Sequence, residues 1–470
     1  MIRTWEVAVS RPEPRLVTTP PNGVDLARMV DYFVPMMMRN IATDGYPFVA
    51  PTVFPGERQD GQPEPPPEAV LSQPGCILAS PTYHENLPTV KQNYVYTWVR
   101  DSAIVAMELA SADLPALLGG ISNVFDDYVA FAAMCRSKAP MELDRAKYTI
   151  AGGLVEDWPR QNDGPALQTL ALLSLFPKLS GPAQDTARQL ISANVGFIVD
   201  QHQHPNNNLW EEVYGQSFFT RSVQLKCLDA VRDDAKGATV PAGVDAAAAW
   251  LADALHDHAQ NSSYRSLLDA TNPRKDYDPN SDIVLACIYG AVKSTDPVLL
   301  NTAAALFTQC TDPITGYPIN SSDAQLGIGP LLGRYPGDYY DGTHLVATEE
   351  GASRGHPWAV CTAGHAELYY RVAGVVLDDR RVPNDPLVGD FLTQAGTSAQ
   401  DDPDTAATAL YRAGDRMLQA IVYHSDHLEL SEQFNAITGY ENSVRNLSWS
   451  YASFLSALRA RAVLPAPPPA

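Results

Sequence analysis

The sequence predicts an all-α fold, and three observations predict it. Segments of about 12 to 20 residues with apolar positions three and four apart recur along most of the chain. Polar, Pro-rich or Gly-rich stretches separate them. Few runs alternate apolar with polar residues as half-buried strands do, which argues against alternating βα units. On this periodicity helices are expected near 24–40, 100–113 and 117–136. The next, near 164–177, also has a start signal, because Asp163-Gly164-Pro165 sets an acidic cap and an early proline before Ala166-Leu167. Helices near 184–202, 217–232 and 242–260 follow on periodicity alone. Ser281-Asp282 opens the apolar run of the helix near 281–294, and helices near 298–310, 357–373, 404–424 and 449–462 complete a set of twelve.

Two stretches read as loops. Residues 55–75 are too proline-rich for a helix interior. The run from Val463 to Ala470 is a polyproline-like terminus. No linker divides the middle and no internal repeat shows beyond the helix alternation. The expected organisation is therefore an N-terminal extension over 1–19, one domain over 20–462 and a proline-rich tail over 463–470.

Composition excludes whole classes of function. With 45% hydrophobic and 19% charged residues the chain forms a core, so it is not a mostly disordered protein. Its formal charge of −21, from 33 basic and 54 acidic residues, makes nucleic acid and anionic membrane poor partners. No apolar run approaches the roughly 18 residues of a membrane span. Met1 to Arg15 has no signal-type apolar core, so a cytoplasmic protein is expected, with secretion still open for a chain whose leader has been removed. Cys76, Cys135, Cys227, Cys287, Cys310 and Cys361 are widely spread in apolar contexts and read as buried free thiols, with a disulfide or two as the alternative. His202-x-His204 and His256-x-His258 lack an acid at ligand spacing, and no Walker A, HExxH or GxSxG run occurs, so no metal and no cofactor is expected.

The loops between the helices carry the chemistry. Asn93 to Asp101 packs aromatics beside an Arg and an Asp, and Trp158 to Asp163 does much the same. Leu209-Trp210-Glu211-Glu212-Val213-Tyr214 sets two acids after a Trp, and Gly333 to Tyr340 repeats the theme. Ser431-Glu432-Gln433-Phe434 is followed by Arg445 to Tyr451. Taken singly, each loop reads as well as a core plug beside an N-cap. Five together suit a sugar site, because pyranose C–H faces stack on Trp and Tyr and their hydroxyls need planar, bidentate partners such as Arg and Asp. Glu211 and Glu432 stand out, since glycosidic cleavage needs one protonated carboxyl and one carboxylate. The pair alone leaves their roles open. Trp210 and Glu212 beside Glu211 are expected to raise its pKa, as an acid needs, while Ser431 and Gln433 are expected to solvate Glu432 as a base.

These loops resemble glycoside hydrolase family 15, the glucoamylase family, in order and over nearly the whole chain. Ile77-Leu78-Ala79-Ser80-Pro81 with Tyr94 to Ser102, Asp163-Gly164-Pro165-Ala166-Leu167 and Leu209 to Thr220 match its segments, as do Gly333-Arg334-Tyr335-Pro336-x-Asp338, His356-Pro357-Trp358, Ser431 to Phe434 and Leu447 to Tyr451. The resemblance implies an (α/α)6 barrel and inverting exo-hydrolysis of α-glucosides with release of β-D-glucose, Glu211 as general acid and Glu432 as general base. Arg100 and Asp101 would hold the terminal glucose beside Trp98 and Trp449, with Glu212, Arg334 and Trp158 near the leaving sugar. Tyr94, Arg160, Trp210 and Trp358 complete the substrate-binding set that it implies. The chain departs from the family in a Trp158 loop one residue shorter, a longer stretch over 341–355 and the proline-rich 55–75. Short soluble oligosaccharides are therefore the expected substrate. An α-1,6-specific or trehalase-type hydrolase and a non-catalytic sugar-binding relative are the alternatives, and retention of both Glu211 and Glu432 argues against the last. The sequence leaves the oligomeric state open.

Overall fold

Helices dominate the computed structural model, which describes residues 23–44, 46–51, 69–83, 93–112, 123–271, 277–342 and 355–467. Fourteen α-helices occur among them. They are α1 (Met29–Met38), α2 (Val99–Ser111), α3 (Val124–Ser137), α4 (Gly164–Leu175), α5 (Gly181–Gln201), α6 (Phe218–Asp234) and α7 (Val244–His256). In the second half follow α8 (Asp282–Ile288), α9 (Pro297–Thr311), α10 (Pro318–Gln325), α11 (Ala359–Asp379), α12 (Gly389–Ala395), α13 (Pro403–His424) and α14 (Ser448–Ala462). The expected N-terminal extension over 1–19, most of the 55–75 stretch, the start of the helix expected near 117–136 and most of the loop over 341–355 lie outside the described residues.

Six helices close a ring. Helix α2 packs on α4, α4 on α6, α6 on α8, α8 on α11, α11 on α14, and α14 returns to α2. Each other long helix lies outside it: α5 on α4 with α3 on α5, α7 on α6, α9 on α8, α13 on α11, and α1 on α14. This is an (α/α)6 barrel, and the twelve helices expected from periodicity are its two rings. Burial is deepest in the inner ring. Every residue of α8 and the whole of α14 from Ser448 to Leu458 is buried, so these two inner helices are covered on all sides there. Outer α13 buries Leu410, Met417, Leu418 and Ile421 but exposes Asp404 and Thr405. One apolar cluster runs from Leu26 to Leu458. All six cysteines are buried and free, so the thiol reading holds and the disulfide alternative falls. Among the described residues no helix is long and apolar enough to cross a membrane, and no group of His, Cys, Asp and Glu is placed to hold a metal ion.

The helix near 281–294 ends early, at Ile288. The Ser222 hydroxyl from α6 donates to Ala286 O at 2.8 Å and accepts from Ala291 N at 2.9 Å, so a neighbouring helix terminates it. Helices α10 and α12 were not expected. The polar run of α10 has no apolar period, and Asn320 pins it by bonds to Cys310 O and Leu331 O, each 2.9 Å, and from Leu331 N at 2.8 Å.

Candidate active site

The loops that enter the inner helices converge on one pocket of about 450 Å³. Trp98 caps α2, with Arg100 and Asp101 in its first turn, and Trp158 and Pro159 precede α4. Trp210, Glu211 and Glu212 precede α6, while Arg334 and Tyr340 precede α11, whose N-cap is Trp358. Glu432 and Leu447 lead into α14, and Trp449 lies in its first turn. The positive ends of these helices therefore face a pocket lined with carboxylates.

The turn carrying the two adjacent acids is built by a buried amide. Asn208 Oδ1 accepts from Glu212 N at 3.0 Å and Val213 N at 3.1 Å, and the carbonyl of Asn208 accepts from Glu211 N at 3.0 Å. Glu211 is held at φ +64°, in the left-handed region that costs a side chain with a Cβ. That outlier sits at the site itself. Glu211 then meets Arg100, whose Nη2 donates to Glu211 Oε1 at 3.0 Å while Nη1 donates to Gln161 Oε1 at 3.1 Å and Asp163 Oδ2 at 3.3 Å. Asp163 holds the N-cap position of α4, but its side chain serves Arg100 instead of the helix. Asp101 pairs with Arg100 Nε at 3.3 Å.

Opposite charge is also concentrated at Arg334. Its Nε and Nη2 donate to Asp338 at 2.8 and 2.6 Å, and Nη2 donates to Glu212 Oε1 at 2.9 Å. Tyr335 donates to the other Glu212 oxygen. The guanidinium lies 4.9 Å from the Trp358 ring and 5.4 Å from that of Trp210, at cation–π range. Trp210 stacks on Trp449 at 6.3 Å and donates from Nε1 to Asn280 at 2.9 Å. Trp98 meets Trp158 edge-on at 5.5 Å, and Lys147 Nζ lies over both.

Glu432 has its own partners. Tyr94 donates to Oε1 at 2.8 Å and Ser443 donates to Oε2. Burial nevertheless pushes its carboxyl up to about 7, with the Ser443 and Tyr94 bonds opposing. Burial raises Glu211 as well, opposed by Arg100, and raises Asp101 to about 6. The causes differ from those expected. Glu212 is turned to Arg334 and Tyr335 and is not among the main influences on Glu211, and the polar neighbours of Glu432 are Ser443 and Tyr94, not Ser431 and Gln433.

Of the expected residues, Tyr94, Trp98, Arg100, Asp101, Trp158, Trp210, Glu211, Glu212, Arg334, Trp358, Glu432 and Trp449 all line this pocket. Arg160 does not. Its guanidinium, 45% exposed, is instead taken by Asp144 at 3.0 Å and Glu142 at 2.9 Å. Sequence reasoning missed Asp157, Pro159, Leu209, Tyr340 and Leu447 in the lining. Tyr340 was within a recognised aromatic loop, so composition could have found it; Leu209 and Leu447 are apolar residues with no distinguishing signal. Two lining indoles, Trp158 and Trp358, keep buried Nε1–H groups with no hydrogen-bond partner among the described residues, and Asp101 Oδ2 accepts no hydrogen bond there beyond its ion pair with Arg100 Nε. Such groups suit a ligand rich in hydroxyls.

The family model described as glycosyl hydrolases family 15 matches residues 68–459. The chain is 26% identical to a glucoamylase of Blastobotrys adeninivorans, over 83% of this chain and 67% of that protein. It is 28% identical to the intracellular sporulation-specific glucoamylase of Saccharomyces cerevisiae, over 83% of this chain and 79% of that one. The fold superposes on the glucoamylase from Saccharomycopsis fibuligera with a TM-score of 0.73 at 22% identity, covering 94% of this chain and 96% of the other.

Proposed function

The chain belongs to glycosyl hydrolase family 15 and is a glycoside hydrolase acting on carbohydrate, and on that premise we propose that it is an inverting, exo-acting α-glucosidase for short α-glucosides. In this reading Glu211 gives its proton to the glycosidic oxygen as the bond from C1 to that oxygen breaks. Glu432 takes a proton from water as the water oxygen joins C1 on the opposite face, and β-D-glucose is released. The observation that carries the reading is the meeting of Glu211 and Glu432, remote in sequence, in one tryptophan-walled pocket.

The hydrogen bonds support the division of roles. Tyr94 and Ser443 each donate to a different oxygen of Glu432, which favours the carboxylate that a base must be. Arg100 favours ionised Glu211, but burial outweighs it and favours the protonated acid. Asp101 and the free indole N–H groups of Trp158 and Trp358 are the proposed partners for sugar hydroxyls.

Two measurements test this. Proton NMR of the first turnovers on maltose should show the β anomer of glucose ahead of the α; α first would make the enzyme retaining and end the base role of Glu432. Glu211→Gln should lower kcat on maltose by about 10²–10⁴-fold yet keep much more activity on α-glucosyl fluoride, whose leaving group needs little protonation. Glu432→Gln should damage both substrates. The reverse pattern would exchange the two roles.

A further inference from the structure

A second cavity of about 390 Å³ lies between α9, α10, α11, α12 and α13, away from the catalytic pocket and sharing no lining residue with it. Its size is that of a small-molecule site. One wall is apolar, with Phe307, Ile328, Pro330 and Met417. The opposite character is concentrated in a few groups. Tyr369 is fully buried, lines the cavity and has a hydroxyl with no hydrogen-bond partner among the described residues. Gln394 spends its amide N–H groups on Ala304 O at 2.9 Å and Thr308 Oγ1 at 3.1 Å, and its buried Oε1 is left without a donor among the described residues.

Arg416 is the only charged residue in the lining. Burial disfavours its charge, and Tyr369 and Asp415 act on its guanidinium through space, with no hydrogen bond or ion pair to either. The adjacent acid is already committed: Asp415 accepts from Tyr370 at 2.7 Å and from Arg461 at 2.7 and 3.0 Å. A half-buried cation facing an apolar-walled cavity wants one counter-charge, and a planar carboxylate matches its fork. A dianion would leave a charge unmatched there. The orphaned Gln394 oxygen wants a donor.

We propose that this cavity binds a small organic hydroxycarboxylate, whose anion pairs with Arg416 and the Tyr369 hydroxyl, whose own hydroxyl reaches Gln394, and whose apolar body lies against Phe307 and Met417. Mandelate, which carries a phenyl ring, a hydroxyl and a carboxylate, is the probe. Isothermal titration of the whole chain with 1-deoxynojirimycin filling the catalytic pocket should still give saturable one-to-one binding of mandelate. Mandelamide, which lacks the charge, should bind at least about tenfold more weakly, and Arg416→Gln should lose mandelate by a similar factor. Tyr369→Phe, which deletes only the hydroxyl, should weaken it by about three- to tenfold and serves if Arg416→Gln does not fold. Maltose hydrolysis should be the same in Arg416→Gln and the parent, so this site and the catalytic reading fail independently. No saturable binding, equal affinity in both variants, equal affinity for mandelamide, or displacement by 1-deoxynojirimycin overturns the proposal.

Discussion

Glu432 shows what a residue inherits from its neighbours in space and not in sequence. Ser431 and Gln433 flank it, yet Ser431 donates to Gln433 O at 2.6 Å and Gln433 Nε2 donates to Tyr340 O at 3.0 Å. Gln433 and Phe434 form a short strand, in which successive side chains leave on opposite faces, so adjacent residues do not share an environment. The carboxylate is instead served by Ser443 and Tyr94. Burial raises Glu432 to about 7 and the Ser443 bond lowers it, so Ser443→Ala should raise it further. A base works only when ionised. The acidic limb of kcat/KM should therefore move to higher pH, by about half to one unit if the lost bond has an ordinary net strength. A pH profile on maltose reads this, and an unmoved or downward limb would detach Ser443 from the base.

Packing between the two rings sets what each helix tolerates. A Cβ added at Gly414 of α13 would lie 2.6 Å from Tyr370 Cζ of α11, so the close approach of these helices requires the glycine. Gly196 of α5 is helical too, but a Cβ there meets nothing within 4 Å. Gly414→Ala should therefore cost about 1–3 kcal/mol through overpacking, despite the better helix propensity of alanine. Gly196→Ala should gain about 0.5–1 kcal/mol. Denaturant unfolding of the two variants measures both, and equal signs would contradict the packing argument. The same dependence on neighbours ended α8 at Ser222 and formed α10 around Asn320, which is why periodicity missed both.

For the whole molecule, the catalytic pocket of about 450 Å³ is bounded by Trp158 and Pro159 on the shortened loop. On the proposed reading, a pocket of that size fits a disaccharide better than an extended chain. The expected outcome is that kcat/KM is no greater for maltoheptaose than for maltose. A steady rise with chain length would mean further binding positions along the glucan and a more open site. The −21 charge of the chain has no part in this preference, since the proposed glucoside substrate is neutral.

Twelve helices were legible in the sequence from periodicity, and their arrangement in two rings and most of the pocket through the family resemblance. Apolar residues three and four apart dictate which helix faces are buried, and the aromatic and acidic residues of the site cluster in the loops between those helices, where local composition is readable. Which of those loop residues share the pocket follows from packing in three dimensions. That packing brought Tyr94 and Ser443 to Glu432 across hundreds of residues and eleven respectively, and it sent Arg160 out to Glu142 and Asp144. It also decided protonation, because a carboxyl is shifted by burial and by charges within a few ångströms, and neither is written in chain order. The second cavity had no trace in the sequence for the same reason: Tyr369, Gln394 and Arg416 belong to three different helices, and only their packing leaves a hydroxyl, an amide oxygen and a guanidinium facing one space.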